Sequence, residues 1–235
     1  MVTINFATDG TGIKNDYTRN MISESTWYLG GHDYFSAYAG DSYKYERENN
    51  VYSGHPTTWN GKIGLMYLSD YGYAADLSLC NTTLYKYNSS VCVENNWIGD
   101  NIWVMNPRTV DDVSVWRIAS DGVRSNGSTA VRYIYPTLYL DENVVNFAGD
   151  GSSINPYQIT NYASLYRGNA IKYITNLYLN NKNKVVTNNN IEYQYAESVN
   201  LMNDRLGGTT ADYDAGNIRY YGANTNNYVD IGDRD

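Results

Sequence analysis

An α+β fold with mainly antiparallel strands and one or two short helices is what this sequence predicts, and three observations carry the prediction. Between residues 51 and 147 the apolar stretches are short and broken by Gly, Asn, Asp and Ser, which is strand-and-turn composition. Two further segments, 16–29 and 161–179, space their apolar residues three and four apart, as a helix face does. Tight-turn sequences such as Ser-Asp-Gly and Ser-Asn-Gly separate neighbouring strand-like runs.

In chain order, "DYTRNMISESTWYL" offers Met21, Ile22, Ser25 and Leu29 on one helical face, with Asn15 or Asp16 as a cap and Gly30-Gly31 as a stop. The strands expected next are "KIGLMYLS", "NIWVMN", "VSVWRIAS" and "PTLYLDENVVNF". In the first of these, Ile63, Leu65 and Tyr67 alternate with Gly64, Met66 and Leu68, so both faces are apolar and a central strand is expected. "SDYGYAA" should leave it through a turn, with Asp70 bonding nearby backbone amides and Gly72 supplying an unusual dihedral. The Ser-Asp-Gly-Val sequence after "VWRIA" predicts a hairpin.

"GDGSSINPYQI" at 149–159 reads as a boundary, dividing the chain into 1–159 and 160–235. Beyond it, Leu165, Ile171, Ile174, Leu177 and Tyr178 predict a second helix, weakened in its first half by Gly168. "NNKNKVVTNNN" reads as a polar linker, and "NIRYYGANTNNYVDIGDRD" as a strand with a Gly-Asn turn and an acidic tail.

Composition restricts the partners. The 235 residues hold 26 Tyr and 5 Trp against 3 Phe, so most aromatic rings keep a polar edge suited to half-exposed sheets and binding surfaces. A net charge of -8 and a pI near 4.7 repel nucleic acid and anionic membrane surfaces. No apolar run is long enough to span a bilayer, and "MVTINFATDG" lacks the features of a signal peptide, so an export signal would lie outside this chain. Cys80 and Cys92 are a hairpin's length apart, which predicts a disulfide and an oxidising compartment.

Catalytic patterns are thin. His32 and His55 are the only imidazoles, both in turn-like loops where a solvated ring is expected, and no Ser-His-acid triad can be assembled from them. Carboxylates for glycoside hydrolysis would have to come from Asp111, Asp112, Asp121, Glu46, Glu48 or Glu94. No cofactor is implied. Calcium is the one metal to weigh, and its support is weak: "AGDGSS" around Asp150 has oxygen ligands without the spacing of a calcium loop. No phosphate-binding loop is present, whereas Asn81, Asn88 and Asn126 fit the glycosylation pattern.

"NDYTRNMISESTWYLGG", "YERENNVYSGHPTTWNGKIGLMYLSDYGYAA", the Cys80 and Cys92 pair and "YPTLYLDENVVNFAGDGSSINPY" together resemble bacterial surface proteins with C-type-lectin-like domains. These domains are related to the formylglycine-generating-enzyme type and to the receptor proteins of diversity-generating systems. The resemblance covers most of residues 12–159 and implies one or two helices packed on a twisted, mainly antiparallel sheet. Two features depart from it. Tyr135 stands where an arginine is usual, and the C-terminal "NIRYYGANTNNYVDIGDRD" resembles a segment that normally precedes the domain. A circular permutant, a fragment across two tandem copies and a truncated reading frame each account for that order.

By position, the resemblance implies a ligand face over 103–135 carrying Arg108, Asp111, Asp112, Ser114, Arg124 and Asn126, with Trp103 or Trp116 as an aromatic platform. Short polar groups beside rigid aromatic rings lose little entropy on contact. The expected function is a noncatalytic, extracellular adhesion module for a carbohydrate or protein ligand. A structural repeat of a stalk or pilus-like protein is the alternative, followed by a formylglycine-type oxidase or hydrolase on the same scaffold.

Overall fold

The computed structural model describes residues 19–99, 101–161, 170–204, 217–223 and 229–230. Among them the chain is mixed α+β, with short helices and mostly antiparallel strands distributed over five small sheets. Two pairings are parallel: β4 (Ile102–Pro107) with β7 (Tyr133–Ile134), and β10 (Tyr157–Asn161) with β15 (Val229–Asp230).

The helix expected over 16–29 is present at Arg19 and Asn20 but does not continue through the segment. Residues 16–18 lie outside the described residues, Ile22 bridges Leu140, and β1 (Ser25–Tyr28) pairs antiparallel with β2 (Thr58–Gly61). Trp27 and Leu29 are buried while Thr26 and Tyr28 face solvent, a period of two. The helical pattern depends on counting half-buried Ser25 as part of the apolar face. Trp27 is fully buried, and its indole N–H donates to the Gly61 carbonyl at 2.9 Å, which binds β1 to its partner through a side chain.

Two further helices form where the sequence pattern does not predict them. In α1 (Ala39–Arg47) the Tyr38 N–H donates to Asp41 at 3.0 Å, and in α2 (Leu68–Ala74) the Tyr67 N–H donates to Asp70 at 2.9 Å. Each Tyr-x-x-Asp sequence thus returns a first-turn carboxylate to an otherwise orphaned donor and sets it against the positive helix end. "SDYGYAA" is accordingly helix rather than turn. Gly72 is not among the glycines of positive φ, so its role is packing: a Cβ there would lie 2.6 Å from Ala39 Cβ and 2.8 Å from Leu84 Cδ2. Because α2 begins so early, β3 is only Ile63–Leu65. It pairs with β8 (Pro136–Leu138) in a two-stranded sheet instead of lying centrally.

The rest of "PTLYLDENVVNF" turns at Asp141, whose Oδ1 accepts the Asn143 N–H at 2.9 Å, and continues as β9 (Val144–Ala148). Gly149 and Gly151 adopt φ of 88° and 81° in the turn that follows, and β10 then pairs back onto β9. Beyond it, α4 (Ala170–Asn181) buries Tyr178; Leu165 and Gly168 lie outside the described residues. The expected polar linker is instead β11 (Lys184–Asn188), in a hairpin with β12 (Ile191–Ala196). Asn189 and Asn190 turn it with φ of 47° and 60°, the left-handed pair that matches strand twist and that asparagine tolerates. The sheet continues through β13 (Leu201–Asn203) and β14 (Ile218–Tyr220).

The largest core joins these parts, packing Tyr193, Tyr195, Met202 and Tyr221 with Tyr73, Leu84, Ile102, Trp116 and Ile118. Polar groups are threaded through it. Arg219 of β14 reaches Asp70 of α2 at 2.5 Å and fully buried Asp204 at 3.2 Å, its guanidinium 4.8 Å from the Tyr73 ring centre. Fully buried Glu46 of α1 accepts from the Ser69 N–H at 2.9 Å and the Ser69 hydroxyl at 2.5 Å, with Arg47 at 3.3 Å. Burial, aided by the Asp70 charge, pushes the Glu46 carboxyl up to about 7 against the Ser69 hydrogen bonds and Arg47.

Candidate functional site

The segment expected to carry a ligand face forms a four-stranded sheet in the order β6 (Gly122–Gly127), β5 (Ser114–Ala119), β4, β7. The Ser-Asp-Gly hairpin joins β5 to β6, with Ala119 opposite Gly122 at φ 102°. "SNG" is not a turn: Ser125, Asn126 and Gly127 finish β6 in register with Trp116, Val115 and Ser114. Alternation assigns the faces, with Ile102, Val104, Trp116, Ile118 and Val123 turned into the core.

That alternation removes one expected platform. Trp116 is 1% exposed and its indole N–H donates to the His32 carbonyl at 3.0 Å, so it is a core residue. Trp103 remains half-buried on the other face, directly opposite Arg117. Asp111 is engaged locally, its Oδ1 accepting from the N–H groups of Val113 at 3.0 Å and Ser114 at 2.6 Å and its Oδ2 from the Ser114 hydroxyl at 2.8 Å. These bonds hold the carboxyl below the usual range and fix the β4–β5 loop. Asp112 is exposed beside them, and Asn126 accepts from the Gly127 N–H at 3.0 Å.

Arg108 and Arg124 converge on a pair of aromatic residues that sequence reasoning does not single out. Phe35 and Tyr85 are 41% and 40% exposed and meet edge to face with ring centres 5.2 Å apart. Arg108 pairs with Asp33, donates to the Ser125 hydroxyl at 3.3 Å, and lies 5.5 Å from the Phe35 ring centre. Arg124 lies 4.0 Å over the Tyr85 ring, pairs with Asp121 at 3.1 Å and donates to the Tyr85 carbonyl at 3.1 Å. Tyr34, 55% exposed, packs instead against His32 and Tyr45, with ring centres 6.3 and 5.5 Å away. Phe35 and Tyr85 form an apolar step flanked by two guanidinium–carboxylate pairs whose oxygens retain acceptor capacity. A lone phenylalanine in the polar run "HDYFSAY" is the one sequence signal that could have pointed to it.

Tyr85 sits in a 3-10 turn, Leu84–Lys86, that packs along β6. A disulfide joins Cys80 to Cys92, the latter in α3 (Ser90–Glu94), and closes the loop that contains this turn; both cysteines are buried in the main core.

The buried Ser42 hydroxyl lies 3.0 Å from His32 Nε2, the separation of a nucleophile and its base. The tautomer is wrong for that chemistry. His32 Nδ1 accepts the Tyr34 N–H at 3.2 Å, so the proton resides on Nε2 and the ring donates to Ser42 instead of drawing its proton. Burial pulls this imidazole down to about 4, against the charges of Asp33 and Asp41. His32 is therefore a core group instead of the solvated ring expected, whereas His55 is exposed.

Among the described residues no group of three or more His, Cys, Asp and Glu could hold a metal ion, and no helix is long and apolar enough to cross a membrane. Comparison with protein-family models, with curated proteins and with solved structures finds no match.

Proposed function

We propose that this chain is a noncatalytic, extracellular binding module of C-type-lectin-like fold that takes a carbohydrate, with a protein epitope as the competing ligand. The observation that carries the reading is the exposed Phe35–Tyr85 pair held between Arg108–Asp33 and Arg124–Asp121. A sugar ring presents C–H groups to an aromatic surface and hydroxyls to fixed planar acceptors, and this arrangement offers both within one small patch. The rings are pre-ordered by edge-to-face packing, so little entropy is lost on contact. The tautomer of His32 weighs against a Ser-His hydrolase, and the cross-linking of Cys80 to Cys92 against a thiol-dependent oxidase. The disulfide also favours an oxidising location.

The test is a glycan array probed with the fluorescently labelled chain, beside Phe35→Ala and Tyr85→Ala. Binding to a defined set of saccharides, weakened at least ~10-fold by either substitution, is the expected result. Saccharide binding indifferent to both substitutions, or none at all, would falsify the reading.

A further inference from the structure

Arg47, Arg108, Arg124 and Arg219 each lie against a carboxylate: Glu46, Asp33, Asp121, and Asp70 with Asp204. Arg117 and Arg132 differ. The Nε atom of each is buried and has no hydrogen-bond partner. Their charges act on one another, Arg124 adds to the same field, and Asp121, itself paired with Arg124, opposes it. Burial and then the Arg132 charge disfavour the charged form of Arg117, and among the described residues the Arg132 guanidinium donates at its tip only to the Val131 carbonyl, at 2.5 Å. Both arginines stand in a chain of 25 acidic against 17 basic residues, where carboxylate partners are plentiful.

Strand register shows what surrounds them. Arg117 of β5 lies opposite Trp103 of β4 and Arg124 of β6, and Trp103 lies beside Ile134 of β7. Directly opposed residues share a face, so Arg124, Arg117, Trp103 and Ile134 form a row on the side of the sheet away from Trp116 and Ile118. Arg132 stands two residues before Ile134, which is the same side by strand alternation, and its charge acts on Arg117. Arg117 and the half-buried indole of Trp103 are therefore neighbours, and neither Arg117 nor Arg132 forms a salt bridge among the described residues.

We propose that this outer face binds an acidic sugar, its carboxylate or sulfate held between Arg117 and Arg132 and its ring lying on Trp103. A guanidinium presents paired donors that match the two oxygens of such a group, and two guanidinium groups neutralised by one oxyanion cease to repel. The indole accounts for a ring rather than a bare ion. The chain's net charge of -8 disfavours dense polyanions and favours ligands with isolated acidic groups. This site goes beyond the Phe35–Tyr85 patch and uses neither of its rings.

The experiment is isothermal titration of the whole chain with digalacturonate and with a monosulfated disaccharide, sodium sulfate serving as the free-anion arm. Expected are saturable binding of at least one saccharide, tighter than sulfate, with quenching of tryptophan fluorescence. Arg117→Gln and Arg132→Gln should each weaken it at least ~10-fold, the loss of a charge-assisted hydrogen bond. Phe35→Ala should retain the binding, which separates failure here from failure of the first patch. Near-ultraviolet circular dichroism establishes that the variants are folded. The proposal is overturned if neither saccharide binds, if sulfate binds as tightly as the saccharides, or if both arginine variants keep wild-type affinity. It is equally overturned if Arg132→Gln merely raises the melting temperature while ligand shifts no melting curve.

Discussion

Replacing Glu46 by glutamine should uncover a pH dependence that the native chain conceals. Glu46 is fully buried, and its carboxyl titrates near 7 instead of 4.5. Between those values the folded chain holds a proton that the unfolded chain has released, so stability falls as pH rises and levels off above about 7. The full effect is about 3 kcal/mol. Buried His32 acts in the opposite direction. Its folded value is about 4 against 6.5, so from 4 to 6.5 the unfolded chain holds a proton that the folded one lacks, and stability climbs with pH. From 4.5 to 6.5 the two contributions cancel, one proton against the other.

In Glu46→Gln the new amide would keep the acceptor for the Ser69 N–H and offer a donor to its hydroxyl, but would not titrate. The variant should therefore gain stability at roughly 1.4 kcal/mol per pH unit from 4.5 to 6.5 relative to the native chain, since only His32 then remains. Urea unfolding at half-unit pH steps, followed by tryptophan fluorescence, gives both profiles. Surface carboxylates common to the two proteins cancel in the difference. Parallel profiles across that interval would refute the argument, because they would mean that Glu46 is ionised in the folded chain at acidic pH.

Two further substitutions or treatments probe stability. Arg219→Met removes the guanidinium from fully buried Asp204, leaving it the Asn217 hydrogen bonds without that counter-charge beside Asp70, and should cost about 3 kcal/mol by urea unfolding; a midpoint unchanged at equal slope would show that the network contributes nothing net. Reducing the Cys80–Cys92 disulfide, whose sequence separation is 12, releases a loop constraint of about 3 kcal/mol, read as a lower melting temperature in dithiothreitol. A melting curve indifferent to the reductant would indicate that the packing around Leu84 and Cys92 holds the loop unaided.

Hairpins are the most legible part of the sequence. Ser-Asp-Gly announces the β5–β6 turn because its chemistry is local, and a second hairpin at Asn189-Asn190 could have been read by the same rule. Helix α1 is hidden for a physical reason: its buried face includes Gly40, Ser42 and Glu46, so no apolar period reveals it. The repeated Tyr-x-x-Asp at 38–41 and 67–70 is the available signal, since both aspartates turn back to the N-cap. For the candidate site, composition draws attention to aromatic rings and short polar groups, and Arg108 and Arg124 lie beside Phe35 and Tyr85. Which tryptophan faces outward depends on the strands and loops packed around β5. Phe35 and Tyr85 come from segments fifty residues apart in sequence, a proximity that only the tertiary fold creates.

The short turn at Leu84–Lys86 has a second effect through its location. It lies along β6, the last strand of its sheet, where the Tyr85 carbonyl accepts from Arg124, and it belongs to the loop closed by Cys80 and Cys92. A terminal strand left uncovered is a template for another chain's strand. Loss of the cross-link would therefore loosen a guard against strand-to-strand aggregation and, in the same motion, carry Tyr85 away from Phe35. Solubility and ligand recognition would then respond together to the redox state of the surroundings.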